Sequence, residues 1–170
     1  MTLSWEDGVA PELPLRRDYR KKRVGVSDQI VLLSFSNAMS MVNTAIDRAT
    51  VIGVPMCLAV VDEAGEAIIS VRMDGAPRIA LGVALDKAAT ASRSGLDTAS
   101  WADELSRDAR LALGLQNVKG FLPLPGGVGL RIGDRLIGAV GASGGSAVQD
   151  QDVAVTALKG FDKGFSNLNP

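Results

Sequence analysis

The spacing of apolar positions changes period several times along the chain, and the changes mark out its elements. Apolar or small side chains first recur at Val31, Phe35, Ala38, Val42, Ala45, Ala49 and Ile52. Steps of alternately four and three residues describe one face of a long helix. Ser27 is placed to cap it, Asp28 suits its first turn, and Gly53 followed by Pro55 ends it. Met39 and Met41 lie partly off that face and read as packing or subunit contact. Pro55 to Val61 is continuously apolar, as in a buried strand. Asp62-Glu63-Ala64-Gly65 makes a turn, and Glu66 to Met73 returns as a second strand.

A second turn, Asp74-Gly75-Ala76-Pro77, leads into a helix reaching about Ser92. Ala80, Ala84, Lys87, Ala88 and Ala91 share one small-residue side of it. After Gly95 a short helix is expected from Trp101 to Leu113, capped by Thr98 or Ser100, with Trp101, Leu105 and Ala109 one turn apart. The stretch 121–150 then holds eight of the nineteen glycines. Its apolar runs, Val128-Leu130-Ile132 and Leu136-Ile137-Ala139-Val140, flank Gly133-Asp134, a hairpin signal. Glycine weakens a strand unless something must come close, so these glycines read as room beside a ligand pocket. A last helix is expected from Gln149 to about Gly164, with Leu158 and Phe161 pointing inward beside Val155 or Ala154. Hairpin-linked strands with segregated helices predict an α+β fold with an antiparallel sheet.

Totals narrow the possibilities. One hundred and seventy residues suit a single domain. Residues 1–26 read as an arm, because Pro11, Pro14 and six basic residues between Arg16 and Arg23 argue against a packed element. The domain proper is expected over 27–170. A net charge of −1 argues against nucleic acid as a partner for the whole molecule, and the arm fits an acidic surface on a neighbouring subunit or solvent. No apolar run spans a membrane and no leader pattern opens the chain, so a cytoplasmic protein is expected. Cys57 stands alone, and histidine is absent, which removes the commonest general base and metal ligand. Cys57 in a buried strand, with no histidine to activate it, reads as an inert small hydrophobe.

The usual phosphate-loop, zinc and nucleophile-elbow motifs do not occur, and the residues require neither a metal nor a cofactor. What remains is a set of polar residues at turns and element ends: Asp62, Arg72, Asp74, Lys87, Ser143, Gln149 and Asp150. Arg72 and Lys87 could hold a carboxylate or phosphate. Backbone N–H groups around Gly126-Gly127 and Gly144-Gly145 could add an anion nest. Residue by residue, a plainer reading stands beside each: Asp62 and Asp74 make turns, Asp150 caps a helix, Arg72 sits at a sheet rim and Lys87 snorkels to solvent.

The segments VPMCLAVVDEAGEAIISVRMDGAP, LDKAATA and FLPLPGGVGLRIGDRLIGAVGASGGSAVQDQD, in that order, resemble the GlcG/HbpS family. This family is also known as domain of unknown function 336 and is similar to the C-terminal domain of PduO-type proteins. The resemblance covers roughly residues 27–165. It implies a profilin-like α/β/α arrangement with a five-stranded antiparallel sheet, and homo-oligomers from dimer to octamer. It also implies that some relatives bind haem or cobalamin-type tetrapyrroles. The chain departs from the family in lacking any histidine for haem iron, leaving Cys57 or a methionine as axial ligands in principle. Gln151 stands where many relatives have glutamate, and the basic arm lies outside the pattern.

Three functions are open at this stage. The first is a domain binding a small anionic organic ligand among Arg72, Lys87, Gly126, Gly127, Ser143, Gly144, Gly145 and Gln149. If it is an enzyme, the expected chemistry is cofactor-independent isomerisation, tautomerisation or lyase chemistry of a catabolic pathway. Asp74 or Asp150 would then carry the proton and Lys87 or Arg72 would stabilise charge. The second is a haem- or corrinoid-binding sensor or storage module. The third is a non-catalytic accessory subunit.

Overall fold

The structure, a computed structural model, describes residues 33–165, with side chains through residue 161. The arm and the expected cap at Ser27-Asp28 lie outside the described residues. The first helix, α1, is Phe35–Val51. Its cap is Ser34, whose Oγ accepts the Asn37 N–H at 3.2 Å, so a helix continuous from Ser27 is corrected. Either serine satisfies the capping preference, and the extended backbone of Ser34 decides between them. Ala38, Met41, Val42, Ala45 and Ala49 are buried, whereas Phe35 is 62 % exposed. Phe35 occupies the first helical position, ahead of the covered face, and Met41 belongs to the core.

Strand β1, Cys57–Asp62, and strand β2, Ala67–Arg72, form an antiparallel hairpin. Asp62 Oδ1 accepts the N–H groups of Ala64 and Glu66, both at 2.9 Å, which makes the turn. Helix α2 is Ala80–Ser94 and closes on Gly95 at φ 71°. The single short helix expected next is two helices, α3 (Thr98–Arg107) and α4 (Ala109–Leu115). The cause is Asp108, whose carboxylate accepts from Arg110 and Leu111 N–H and starts a new helix. Trp101 is half-buried: its ring meets Phe121 edge-on at 5.2 Å, and Nε1 donates to Ser94 Oγ at 2.7 Å. Strands β3 (Gly127–Ile132) and β4 (Arg135–Ser143) form the second hairpin, and α5 is Ala147–Phe165.

The sheet is antiparallel in the order β2-β1-β4-β3. Four strands, not five, occur among the described residues. Residues 121–125, just before β3, stay out of the ladder, while Gly126 O accepts the Ala142 N–H at 2.8 Å; Pro123 and Pro125 have no N–H to donate. Side chains of β1 divide by parity. Leu58 and Val60 face the large-residue core under α1 and α5. Cys57, Ala59 and Val61 face the alanines of α2. A strand covered on both faces has no polar side, which explains its unbroken apolar run. The inward set of α5 is Val153, Ala154, Ala157 and Phe161, while Val155 is 45 % exposed.

The α2 face is built for close approach. A Cβ on Gly141 would fall 2.9 Å from Ala88 N and against the Ala84 carbonyl. The strand glycines there leave room for a helix backbone rather than for a ligand. The open edge at β3 is closed by side chains from the segment entering α3. Asp97 Oδ1 accepts Gly129 N–H and Thr98 Oγ1 accepts Gly127 N–H, each at 2.8 Å. Arg131 Nη2 donates to Gly95 O at 2.6 Å. Such cover satisfies an edge that would otherwise pair with another chain.

Candidate functional site

Lys87 lies at the centre of α2's small-residue face, and the alanines around it let the helix sit low on the sheet. Its stem therefore runs inward, and the residue is 2 % exposed. Nζ donates to Asp150 Oδ2 at 2.6 Å and to Ala142 O at 3.1 Å. The other carboxylate oxygen of Asp150 accepts Gly145 N–H at 2.9 Å. A buried ion pair is tolerable only when its remaining atoms are hydrogen-bonded in this way.

Gly126 is packed against that pair. Its φ of +118° disfavours a side chain, and an added Cβ would lie 2.7 Å from Ala142 O, 2.9 Å from Asp150 Cβ and 3.0 Å from Lys87 Nζ. Its N–H donates to Gln151 Oε1 at 2.7 Å. The Gly127 N–H goes to Thr98, whose buried hydroxyl also donates to Gly127 O at 3.2 Å. Three N–H groups of the expected anion nest, those of Gly126, Gly127 and Gly145, thus have acceptors within the protein. For the last of them the anion is Asp150 itself.

The remaining sequence-predicted residues are placed differently. Ser143 is buried at the end of β4, opposite Cys57. Gly144 backs onto Pro55 and Met56. Gln149 Oε1 accepts Ser146 N–H at 2.9 Å while Ser146 Oγ accepts Gln149 N–H at 3.4 Å. This is a capping box, and the spacing Ser146-x-x-Gln149 was the signal for the true start of α5. Arg72 and Asp74 are exposed at the outer strand and its turn; Arg72 donates to Ala76 O at 3.3 Å. No hydrogen bond or ion pair joins either of them to Lys87 or Asp150. Cys57 is fully buried, and burial pushes its thiol up from the ordinary value, against a smaller opposing pull from Arg72.

On the outer side of α5 lies a groove of ≈ 470 Å³, lined by Ala99, Pro125, Ala147, Val148, Gln151, Asp152 and Val155. Val148 is 79 % exposed. The groove is apolar apart from Gln151 and Asp152, and Asp152 is paired with Arg48 at 2.7 Å. Its volume falls within the usual range for organic ligands, about 300–1,000 Å³. Thr98 and Gln151, which bind the Gly126-Gly127 segment from either side, were not singled out as site residues by sequence reasoning. Thr98 reads there only as a helix cap.

Residues 33–159 match the family model described as haem degrading protein HbpS-like. The chain belongs to the HbpS-like family. Its crystallographic neighbours include a complex of PduOC with haem, 31 % identical, with a TM-score of 0.71 over 76 % of this chain and 95 % of that one. Protein ORFY of Klebsiella pneumoniae, assigned to domain of unknown function 336, is 29 % identical, with a TM-score of 0.70 over 82 % and 97 % of the two chains. The corrinoid adenosyltransferase PduO of Salmonella typhimurium is 33 % identical over 136 residues. That match covers 79 % of this HbpS-like chain and 40 % of PduO. Among the described residues, no helix is long and apolar enough to cross a membrane.

A haem whose iron is ligated by the groove does not fit these residues. The groove lining offers no imidazole, thiol or thioether, and the chain has no histidine. Met41, Met56 and Cys57 are fully buried, and Met73 Sδ accepts the Met56 N–H at 3.5 Å.

Proposed function

We propose that this chain is a binding module for a flat tetrapyrrole macrocycle of the haem or corrinoid class, seated in the groove along α5. The macrocycle would be held by its apolar face, without a metal ligand from the groove. The observation that carries the reading is the groove itself: open, apolar and large enough, on a chain whose family includes a relative crystallised with haem. Contact with Val148, Val155, Ala147, Ala99 and Pro125 removes ring surface from water, the dominant favourable term for such a ligand. Binding of a small anion at Lys87, with or without isomerase, tautomerase or lyase chemistry, has less support. Asp150 already neutralises that ammonium, and the pair would have to open.

The test compares haemin with iron-free protoporphyrin IX by absorption titration and tryptophan quenching. Face-on binding predicts affinities of the same order for both, and haemin without a sharp axial-ligand spectrum. Val148→Asp should abolish both. A tight haemin complex with a defined Soret shift, alongside no binding of the iron-free ring, would show ligation and overturn this mode. No binding of either would remove the tetrapyrrole reading. Assembly as a homo-oligomer is part of the same proposal. It is supported by Phe35 at 62 % and Val51 at 76 % exposure, and a monomer by light scattering at micromolar concentration would remove it.

A further inference from the structure

Gln151 gives the groove a chemical polarity. Its Oε1 accepts the backbone N–H of Gly126 at 2.7 Å. A backbone N–H can only donate, so the partner fixes which end of the carboxamide is oxygen. The other end, Nε2, carries two N–H groups. No acceptor among the described residues takes either, and Nε2 is not sealed from solvent. Of the groove's seven lining residues, five are apolar, and the carboxylate of Asp152 is engaged by Arg48 Nε and Nη2 at 2.8 and 2.7 Å. Both bonds fall on Oδ2, so Asp152 keeps Oδ1 as an acceptor while Arg48 balances its charge, and Gln151 is the lining side chain that offers open hydrogen-bond donors.

We infer that the groove selects a ligand with an apolar ring body and an anionic acceptor group, a carboxylate or sulfonate, placed against Gln151 Nε2. A ligand that covers Gln151 without an acceptor strands two donors away from water, which is costly. A site built around a hydrogen bond rejects analogues lacking the partner more strongly than an apolar wall rejects a change of shape. The inference rests on the groove being the ligand site, as in the proposed function, but not on the ligand being a tetrapyrrole.

Two fluorescent probes of the same ring system test it on the full chain: 1-anilinonaphthalene-8-sulfonate and N-phenyl-1-naphthylamine, which lacks the sulfonate. The sulfonate should bind more tightly to the native protein, and Val148→Asp should remove both. Gln151→Glu keeps an oxygen for the Gly126 N–H but replaces the donors with a charged acceptor. It should leave the melting temperature in place, weaken the sulfonate about ten- to a hundredfold, the range of a lost charged hydrogen bond, and spare the neutral probe. Equal weakening of both probes, no weakening of either, or wild-type binding insensitive to Val148→Asp would each overturn the inference. If the sulfonate discriminates as expected while neither porphyrin binds, the tetrapyrrole reading falls and this one stands. If porphyrin binds and Gln151→Glu does not discriminate, the reverse holds.

Discussion

Asp150 and Gln151 are consecutive on α5, and the helix sends one to each side. Asp150 turns into the sheet, where its oxygens take Lys87 Nζ and Gly145 N–H, and its side chain is 6 % exposed. Gln151 turns toward the groove, with its oxygen on Gly126 N–H and its nitrogen open. Each side chain accepts a glycine N–H, that of Gly145 for Asp150 and that of Gly126 for Gln151, yet only one is a closed system. A polar group whose every bond is met within the protein holds structure together. A polar group half met, on an accessible apolar surface, has capacity left for a ligand. The contrast shifts attention from the buried ion pair to the less conspicuous amide beside it.

The sharpest way to break the contrast is Lys87→Met. It keeps the stem volume but leaves the Asp150 carboxylate buried without its cation. Removing one partner of a buried pair costs about 3–5 kcal/mol, so chemical denaturation should show a large loss. Lys87→Met combined with Asp150→Leu should recover much of it, because an apolar pair of similar volume can replace buried charges at little net cost. If Lys87→Met alone changed stability by less than about 0.5 kcal/mol, the ordinary range for a surface substitution, the inward side would not be the structural one.

Thr98→Val tests the same inward cluster with a neutral group. The hydroxyl accepts Gly127 N–H and donates to Gly127 O, both in buried surroundings. Valine matches its shape and leaves that N–H without a partner, so a loss of about 1–3 kcal/mol is expected. The outward side should respond in the opposite sense. Val155→Ser at the groove should alter stability by less than about 0.5 kcal/mol while weakening porphyrin binding. Denaturation midpoints and porphyrin titrations on the two variants would separate a structural side from a binding side. Equal stability losses in both would erase the distinction.

The sequence pattern carries the strands and the principal helices because those depend on local periodicity and on glycines at turns. Four strands in two hairpins, the Gly133-Asp134 turn and the small-residue face of α2 are all legible there. The destination of Lys87 is not, because it depends on how closely α2 approaches a strand 55 residues away. Equivalent capping residues blur the starts: Ser27 and Ser34 are the same residue type, and only Ser34 is followed by a described helix. The groove escapes detection for a related reason. Val148 and Val155 are apolar and seven positions apart, a spacing that a core face shares, and only the packing of Val153, Ala154 and Ala157 shows which face is inward. Reading the strand glycines as pocket space fails because the approaching body at Gly141 is the backbone of α2.

Cys57 extends the comparison to a third environment and the smallest expected effect. It is fully buried on β1, with only a weak contact from Sγ to Pro77 O at 3.7 Å. Burial raises the thiol above its ordinary value of 9.0, and Arg72 opposes the rise without cancelling it. Unlike Asp150, it meets burial by staying protonated rather than by pairing. A raised pKa means that the native state holds the proton to higher pH than the unfolded chain does. The contribution to stability is therefore constant below about pH 9, and stability falls as pH rises beyond it toward the folded value. Comparing urea midpoints of wild type and Cys57→Ala across that window isolates the term: the wild type should lose stability more steeply above pH 9, and the two slopes should agree below it. In the same preparations, a thiol reagent should label the native protein slowly and the unfolded chain at once. Fast labelling of the native chain, or parallel slopes above pH 9, would place Cys57 with the accessible groups and not with the closed ones.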